Sequence, residues 1–271
     1  MTNAYESIPD LAESIAGGLI AIPGVYAVVL GGSWARGASD EHSDIDLGIY
    51  YDPEHLPDLA HLRALAATLD ASGSGDAVTA FGAWGPWING GAWLTVDEQR
   101  VDWIYRDLAQ VRKQIDACLA GHPQAHYQAG HPHAFHTHTY MAEIALCKPL
   151  ADPYGAIAAL KQLAQPYPPA LKRALIGGSL WEAQFALDTS RKTALRGDVV
   201  YVSGALFRCV ACLLQVIFAL NECYCLNEKG ALKAVAEMPL CPRDFDKRVR
   251  QLMAHMGVGV AGLQSTHRLF E

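Results

Sequence analysis

Residues 28–52, VVLGGSWARGASDEHSDIDLGIYYD, limit the folds open to this chain more than any other stretch. The apolar run Val25–Leu30 is a predicted strand that ends in the turn Gly31-Gly32-Ser33, and a second predicted strand, Ile45–Tyr51, begins within Asp44-Ile45-Asp46. Glycines without a Cβ let backbone N–H groups come close to phosphate oxygens, and Ser33 adds a hydroxyl to the same oxyanion. Asp44 and Asp46 are two apart on a strand and so project to one face, where neighbouring carboxylates repel unless a cation lies between them. Hard oxygen ligands so arranged suit Mg²⁺ held jointly by protein and triphosphate.

A third carboxylate completes a two-metal site, in which ions roughly 3.5–4 Å apart stabilise the attacking and leaving oxygens of an in-line displacement. Asp102 is the candidate, because it interrupts a predicted strand between Val101 and Trp103, where a charge is out of place unless it faces a cleft. There it can ligate the metal nearer the acceptor and accept or direct the proton of the attacking hydroxyl.

Two other phosphate-binding motifs fail on particular residues. Gly32 and Gly37 have the glycine spacing of a P-loop, but Ala38 stands where that motif needs its lysine, and no G-x-G-x-x-G occurs at the turn. An Asp-x-Asp pair alone is more often a solvated turn or a calcium loop. Its joint occurrence with the glycine turn sets this one apart.

The pattern resembles the DNA polymerase β-like nucleotidyltransferase superfamily, whose signature is a Gly-Ser turn followed by Asp-x-Asp and a further acidic residue on a later strand. It is most similar to small bacterial members, in Gly32, Ser33, Ala35, Arg36 and Gly37 followed without a gap by Ser43, Asp44, Asp46 and Leu47. The resemblance implies that Asp44 and Asp46 bind two Mg²⁺ ions and that Asp102 is the third ligand or the base. It further implies that Gly32 and Ser33 hold the triphosphate of ATP or another NTP, with Arg36 and Ser43 on the same side. The helical second half is similar to the domains attached to aminoglycoside and lincosamide nucleotidyltransferases, through Asn221, Tyr224 and Lys229. That likeness implies Lys229 near the nucleotide and Tyr224 near the acceptor.

The expected fold is an α/β (α+β) N-terminal domain with a small mixed sheet, residues 1–121, followed by an all-α helical bundle, residues 122–271, that begins with a His/Pro-rich connector. In the first part, Leu11, Ile15 and Leu19 mark one amphipathic helix and Leu59–Leu69 another. Ala92–Val96 and Val101–Tyr105 form a hairpin across Asp97-Glu98-Gln99-Arg100, and Asp107 with Gln110 forms a capping box. The second part is helical from Pro168 onward, with breaks predicted at Gly177-Gly178, Gly197 and Pro242. The apolar run LFRCVACLLQVIFAL is interrupted by Arg208 and Gln215 well short of a membrane span of about 20 residues, which predicts a buried bundle helix.

A formal net charge of −7 and the lack of a basic cluster argue against a long nucleic-acid substrate, whose binding is mostly phosphate neutralisation. The odd count of seven cysteines and the absence of a basic-then-apolar leader in MTNAYESIPD predict a reducing cytoplasm and no membrane. Cys209 and Cys212 lack a second pair for zinc and read as buried thiols. The histidines at 122, 126, 131, 133, 136 and 138 are irregularly spaced and read as connector residues with ordinary polar roles rather than zinc ligands.

Tyr201, Arg208, Gln215 and Glu222 recur every seven residues and are expected as a stripe facing water. Turned to the cleft, Glu222, together with Glu182, would serve a hydroxyl- or amine-rich acceptor. Arg250 and His255 fit only a loose ribonuclease spacing, with no role expected in nucleotidyl transfer. The reaction implied is transfer of a nucleoside monophosphate, AMP from ATP, to a hydroxyl of a small acceptor such as an antibiotic. The alternatives are adenylylation of a partner protein, as in toxin-antitoxin pairs, and a nucleotide-binding module without turnover. The sequence leaves the oligomeric state open.

Overall fold

The computed structural model describes residues 7–37, 39–40 and 43–270; Ala38 and the first six residues, both used above, lie outside the described residues, as do Glu41, His42 and Glu271. The chain divides into two compact units: the first takes Met1–Asp116, His126–Gly130 and Tyr140–Pro166, the second Ala117–Ala125, His131–Thr139 and Tyr167–Glu271.

The first unit opens with α1 (Ile8–Ile20), started by Ser7, whose hydroxyl accepts the Asp10 N–H at 3.4 Å, and by an early proline. There follow β1 (Val25–Leu30), α2 (Gly32–Arg36), β2 (Ile45–Tyr51), α3 (Leu59–Leu69), β3 (Gly91–Val96), β4 (Gln99–Asp107) and α4 (Leu108–Leu119), which runs across the division between units. Asp107 caps α4 by accepting the Gln110 N–H at 3.0 Å. Two very short strands, β5 (Ala125–His126) and β6 (Phe135–His136), precede α5 (Thr139–Leu146), β7 (Lys148–Ala151) and α6 (Ala156–Ala164).

The main sheet is mixed, in the order β3-β4-β2-β1-β7, with β2 and β4 parallel and the other neighbours antiparallel. Parallel pairing follows from the connection, since α3 and the long segment after it carry the chain across to β3 before the hairpin returns it as β4 beside β2. Side chains alternate across this sheet. On one face Ile45, Leu47, Ile49, Val101, Trp103 and Tyr105 form the core with Leu11, Ile15 and Leu19 of α1 and Leu62 of α3. The other face carries Asp46, Arg100 and Asp102 at one end and the buried Tyr50 and Arg106 at the other.

Two expectations change here. The hairpin turn is only Asp97-Glu98, both with positive φ (47° and 68°), so that Gln99 and Arg100 already belong to β4, opposite Val96 and Thr95. Paired positive φ values give the twist that a two-residue loop needs to match its strands. The first unit also continues past residue 121, because β7 pairs with β1 and adds the edge of the sheet. That contact is non-local, and KPLA carries no strong strand signal.

The second unit is helical. The long helices α7 (Pro169–Ala194) and α8 (Val199–Leu220) are joined by a short turn with Gly197 at φ 74°. They run antiparallel, with Leu187 and Ala194 packed with Val202 and Leu206, and Ala183 with Cys209 and Cys212. Then come α9 (Ala231–Ala236), α10 (Phe245–Ala254) and α11 (Gly259–Phe270), with Pro242 in the gap before α10. The break expected at Gly177-Gly178 does not occur: α7 runs through both glycines. The packing of Leu171, Leu175 and Ala183 on either side outweighs a helix penalty of roughly 1 kcal/mol per glycine. By length and composition α8 could cross a membrane, but 67% of its apolar window is buried inside the protein, as a bundle helix requires.

Candidate active site

The strand-turn-strand of the first unit is built around Asp46. The N–H of Gly31 donates to the Asp46 carbonyl at 2.8 Å, which joins the end of β1 to the start of β2. Gly32 has φ 58°, and a Cβ there would overlap Oδ2 of Asp46, so both backbone and space demand glycine. The single turn of α2 ends at Gly37, left-handed at φ 67°. Arg36 folds back to donate from Nε to the Gly32 carbonyl at 3.2 Å.

Ser43 secures the approach to the carboxylates. Its hydroxyl donates to Asp40 Oδ1 at 3.0 Å and accepts the Asp40 N–H at 2.9 Å, while its carbonyl accepts the Trp34 indole N–H at 3.4 Å. Its polar groups are thus engaged within the loop, which makes it a positioning residue for Asp44.

Asp46 and Asp102 face each other across the parallel β2–β4 pair, in register. Strands so paired lie roughly 4.8 Å apart, so two residues 56 positions apart in sequence become neighbours on one face. Asp44 lies two residues before Asp46. It lines a cleft of about 320 Å³ together with Trp93, Leu94, Thr95, Arg100 and Asp102. Asp44 Oδ1 is 2.6 Å from Arg100 Nε. The N–H is not aimed at this oxygen, which is shut off from solvent without a hydrogen bond.

Sequence reasoning passed over four residues of this cleft, Trp93, Leu94, Thr95 and Arg100. Trp93 pairs with Asp102 across the hairpin, is 66% exposed, and stacks on Trp84 with ring centroids 4.5 Å apart. The available signal was strand alternation: Trp93 and Thr95 are the exposed positions of β3.

A divalent cation suits this donor set in kind. The donors are carboxylate oxygens, one of them buried without a hydrogen bond. Among the described residues no three His, Cys, Asp or Glu side chains converge tightly enough to hold a metal as they stand. In this arrangement the Arg100 guanidinium supplies the positive charge beside Asp44.

Comparison with known families bears on the same stretch. Residues 13–79 match the family model of the nucleotidyltransferase domain. The chain carries a nucleotidyltransferase domain. Enzymes of this kind transfer a nucleoside monophosphate, and the match includes Gly32, Ser33, Asp44 and Asp46, with Asp102 beyond it. Residues 136–229 match a domain of unknown function (DUF4037), which takes in α7 and α8. No curated protein matches the chain.

The residues expected to serve the acceptor lie in the second unit, each with its own partner. Glu182 binds the fork of Arg208, Nε to Oε1 at 2.5 Å and Nη2 to Oε2 at 3.0 Å, and this holds its carboxyl below the usual range. Arg208 also donates to the His133 carbonyl. Glu222 lies past the end of α8 with φ 55° and pairs with Lys172 at 2.8 Å. Tyr224 packs on Tyr167, ring centroids 4.6 Å apart, and burial raises its phenol pKa. Lys229 is exposed in the loop before α9, its N–H donating to Asn227. Asn221 holds the chain locally, exchanging hydrogen bonds with the backbone of Leu240.

The stripe expected to face water does so only at its ends, where Tyr201 and Glu222 are exposed. Gln215 is buried and bonds His138 at 3.0 Å, Arg208 is half-buried, and Glu222 has left the helix. The histidine-rich stretch is likewise more than a connector, since residues 131–139 belong to the second unit and His138 is buried there. Burial takes His138 down to about 4, and burial followed by the charge of His138 takes His136 down to about 3.

Proposed function

We propose that the chain transfers AMP from Mg²⁺-bound ATP to a hydroxyl of a small-molecule acceptor, such as an antibiotic, and releases pyrophosphate. The observation that carries this reading is the registered pair Asp46 and Asp102, with Asp44 sharing the cleft of Asp102. Asp44 and Asp46 would hold the metal, with Asp102 as a third ligand. Bound Mg²⁺ supplies charge neutralisation on the phosphates, the main requirement of phosphoryl transfer.

The chain's own groups do the rest. Gly32 and Ser33 bind the triphosphate where the backbone approaches closely, and Arg36 adds positive charge. Asp102 accepts the proton of the acceptor hydroxyl as the new O–P bond forms and the bond from the α-phosphorus to pyrophosphate breaks.

The anionic balance of the chain favours a small acceptor over a long nucleic acid, and the buried α8 fits an enzyme of the cytoplasm rather than of a membrane. Calorimetric titration with an ATP analogue not cleavable between the α and β phosphates tests the reading. Binding that needs Mg²⁺ and is lost in both Asp44→Asn and Asp46→Asn supports it. Full activity in both variants would end it.

A further inference from the structure

Trp93 is the one large aromatic of β3 and β4 that stands in solvent, while Trp103 and Tyr105 on the opposite face of β4 are buried. An exposed indole forgoes a large burial gain, and this one is also held still. Trp84 stacks on it at 4.5 Å with an interplanar angle of 18°, and the Trp84 carbonyl is itself fixed by Gln128 Nε2 at 2.8 Å. A preorganised, half-open aromatic pair in a cleft is suited to receive a flat apolar surface.

Its position across the sheet says which reactant. Reading over the strands, Gly31 is bonded to Asp46, Asp46 is paired with Asp102, and Asp102 is paired with Trp93. The glycine turn and Trp93 are therefore at opposite ends of one row, with the two carboxylates between them. At roughly 4.8 Å per strand, Trp93 lies about 10 Å from Asp46, on the side away from the turn. In-line displacement places the attacking hydroxyl opposite the leaving pyrophosphate. With the phosphates at the turn, the acceptor comes over Asp102 and onto Trp93.

We propose that Trp93, backed by Trp84, is the floor of the acceptor subsite and selects an acceptor with a hydroxylated ring, a sugar or an aromatic, whose flat face lies on the indole. This rests on the nucleotidyl-transfer reading of the cleft. The cleft's volume of about 320 Å³ accommodates one such ring, and Thr95 and Asp102 line it as hydrogen-bonding groups for the hydroxyls.

The test measures binding to the full chain, saturated with Mg²⁺ and the uncleavable ATP analogue, by saturation-transfer NMR and calorimetry. The ring probes are methyl α-glucopyranoside, kanamycin and tyramine, and the acyclic probes are glycerol and sorbitol. We expect at least one ring probe to bind and neither acyclic polyol to do so, with the sugar and phenol arms showing which kind of ring is preferred. Trp93→Ala weakens the bound ring about tenfold, as loss of one stacking surface does, and Trp93→Phe restores most of it. Nucleotide affinity stays at the wild-type value in both variants.

Four outcomes overturn the proposal: ring affinity unchanged in Trp93→Ala; nucleotide affinity lost instead, which would make Trp93 a base platform; acyclic probes bound as well as rings, or no ring probe bound by protein that holds nucleotide; or self-association that disappears with Trp93. Failure of the underlying reading looks different, because then the wild-type protein does not bind nucleotide in a Mg²⁺- and Asp44-dependent way.

Discussion

Arg100 Nε lies 2.6 Å from Asp44 Oδ1, so a side chain two residues before Asp102 neutralises one of the carboxylates expected to hold a metal. The pair is partly exposed and such ion pairs contribute about 0.2–1 kcal/mol. A cation arriving at Asp44 has to displace it. Arg100→Gln is therefore expected to lower the Mg²⁺ concentration for half-maximal nucleotide binding about two- to fivefold at low salt, and the difference should shrink as salt rises. An unchanged or higher Mg²⁺ requirement would show that Arg100 does not compete at this site.

Gly32 is the position where the turn tolerates no side chain. Gly32→Ala adds strain at φ 58° worth roughly 1 kcal/mol and pushes Asp46 Oδ2 aside. We expect nucleotidyl transfer to fall about a hundredfold, as a misplaced reacting group does, with only a few degrees lost in Tm. Transfer assays beside a circular-dichroism melt separate the two effects, and retained activity would mean Asp46 needs no defined position.

The two glycines inside α7 make the opposite prediction. Neither would bring a Cβ within 4 Å of another group, and both are exposed. Gly177→Ala and Gly178→Ala should each raise stability by about 0.5–1 kcal/mol in urea unfolding, because alanine loses less backbone freedom in a helix. A loss of stability would point to a bend at this place in solution.

Stability should also fall in mild acid through the histidines of the second unit. Burial takes His138 to about 4 and His136 to about 3, against an ordinary value near 6.5. The unfolded chain thus binds protons first as pH falls, and stability drops between about pH 6.5 and pH 3 and levels off below the folded values. At pH 5 the loss is about 2 kcal/mol per histidine. Urea unfolding at pH 7 and pH 5 measures it, and His138→Gln should flatten the slope; equal slopes in variant and wild type would show that His138 takes up its proton without penalty.

Much of the fold was legible residue by residue. Val25–Leu30, Ile45–Tyr51 and Leu59–Leu69 form as read, because apolar period and flanking breakers act over short distances. The alternation that sets Asp44 and Asp46 apart from Ile45 and Leu47 was likewise visible. The unbroken α7 was not, because its glycines are carried by packing on α8. Nor were Gln215 and His138, whose burial depends on each other across 77 residues.

Local pattern alone decides that this chain has a strand, a glycine turn and a second strand that opens on two carboxylates, since chirality, sterics and side-chain alternation are properties of neighbouring residues. Tertiary structure decides what stands beside them. Asp102 meets Asp46 and Trp93 meets Asp102 only because the chain crosses over through α3 and returns by a hairpin, and Arg100 reaches Asp44 only in that register. Pairing between distant strands is set by the shared burial of Ile45, Val101, Leu94 and their neighbours in one core, a collective quantity that no single segment carries.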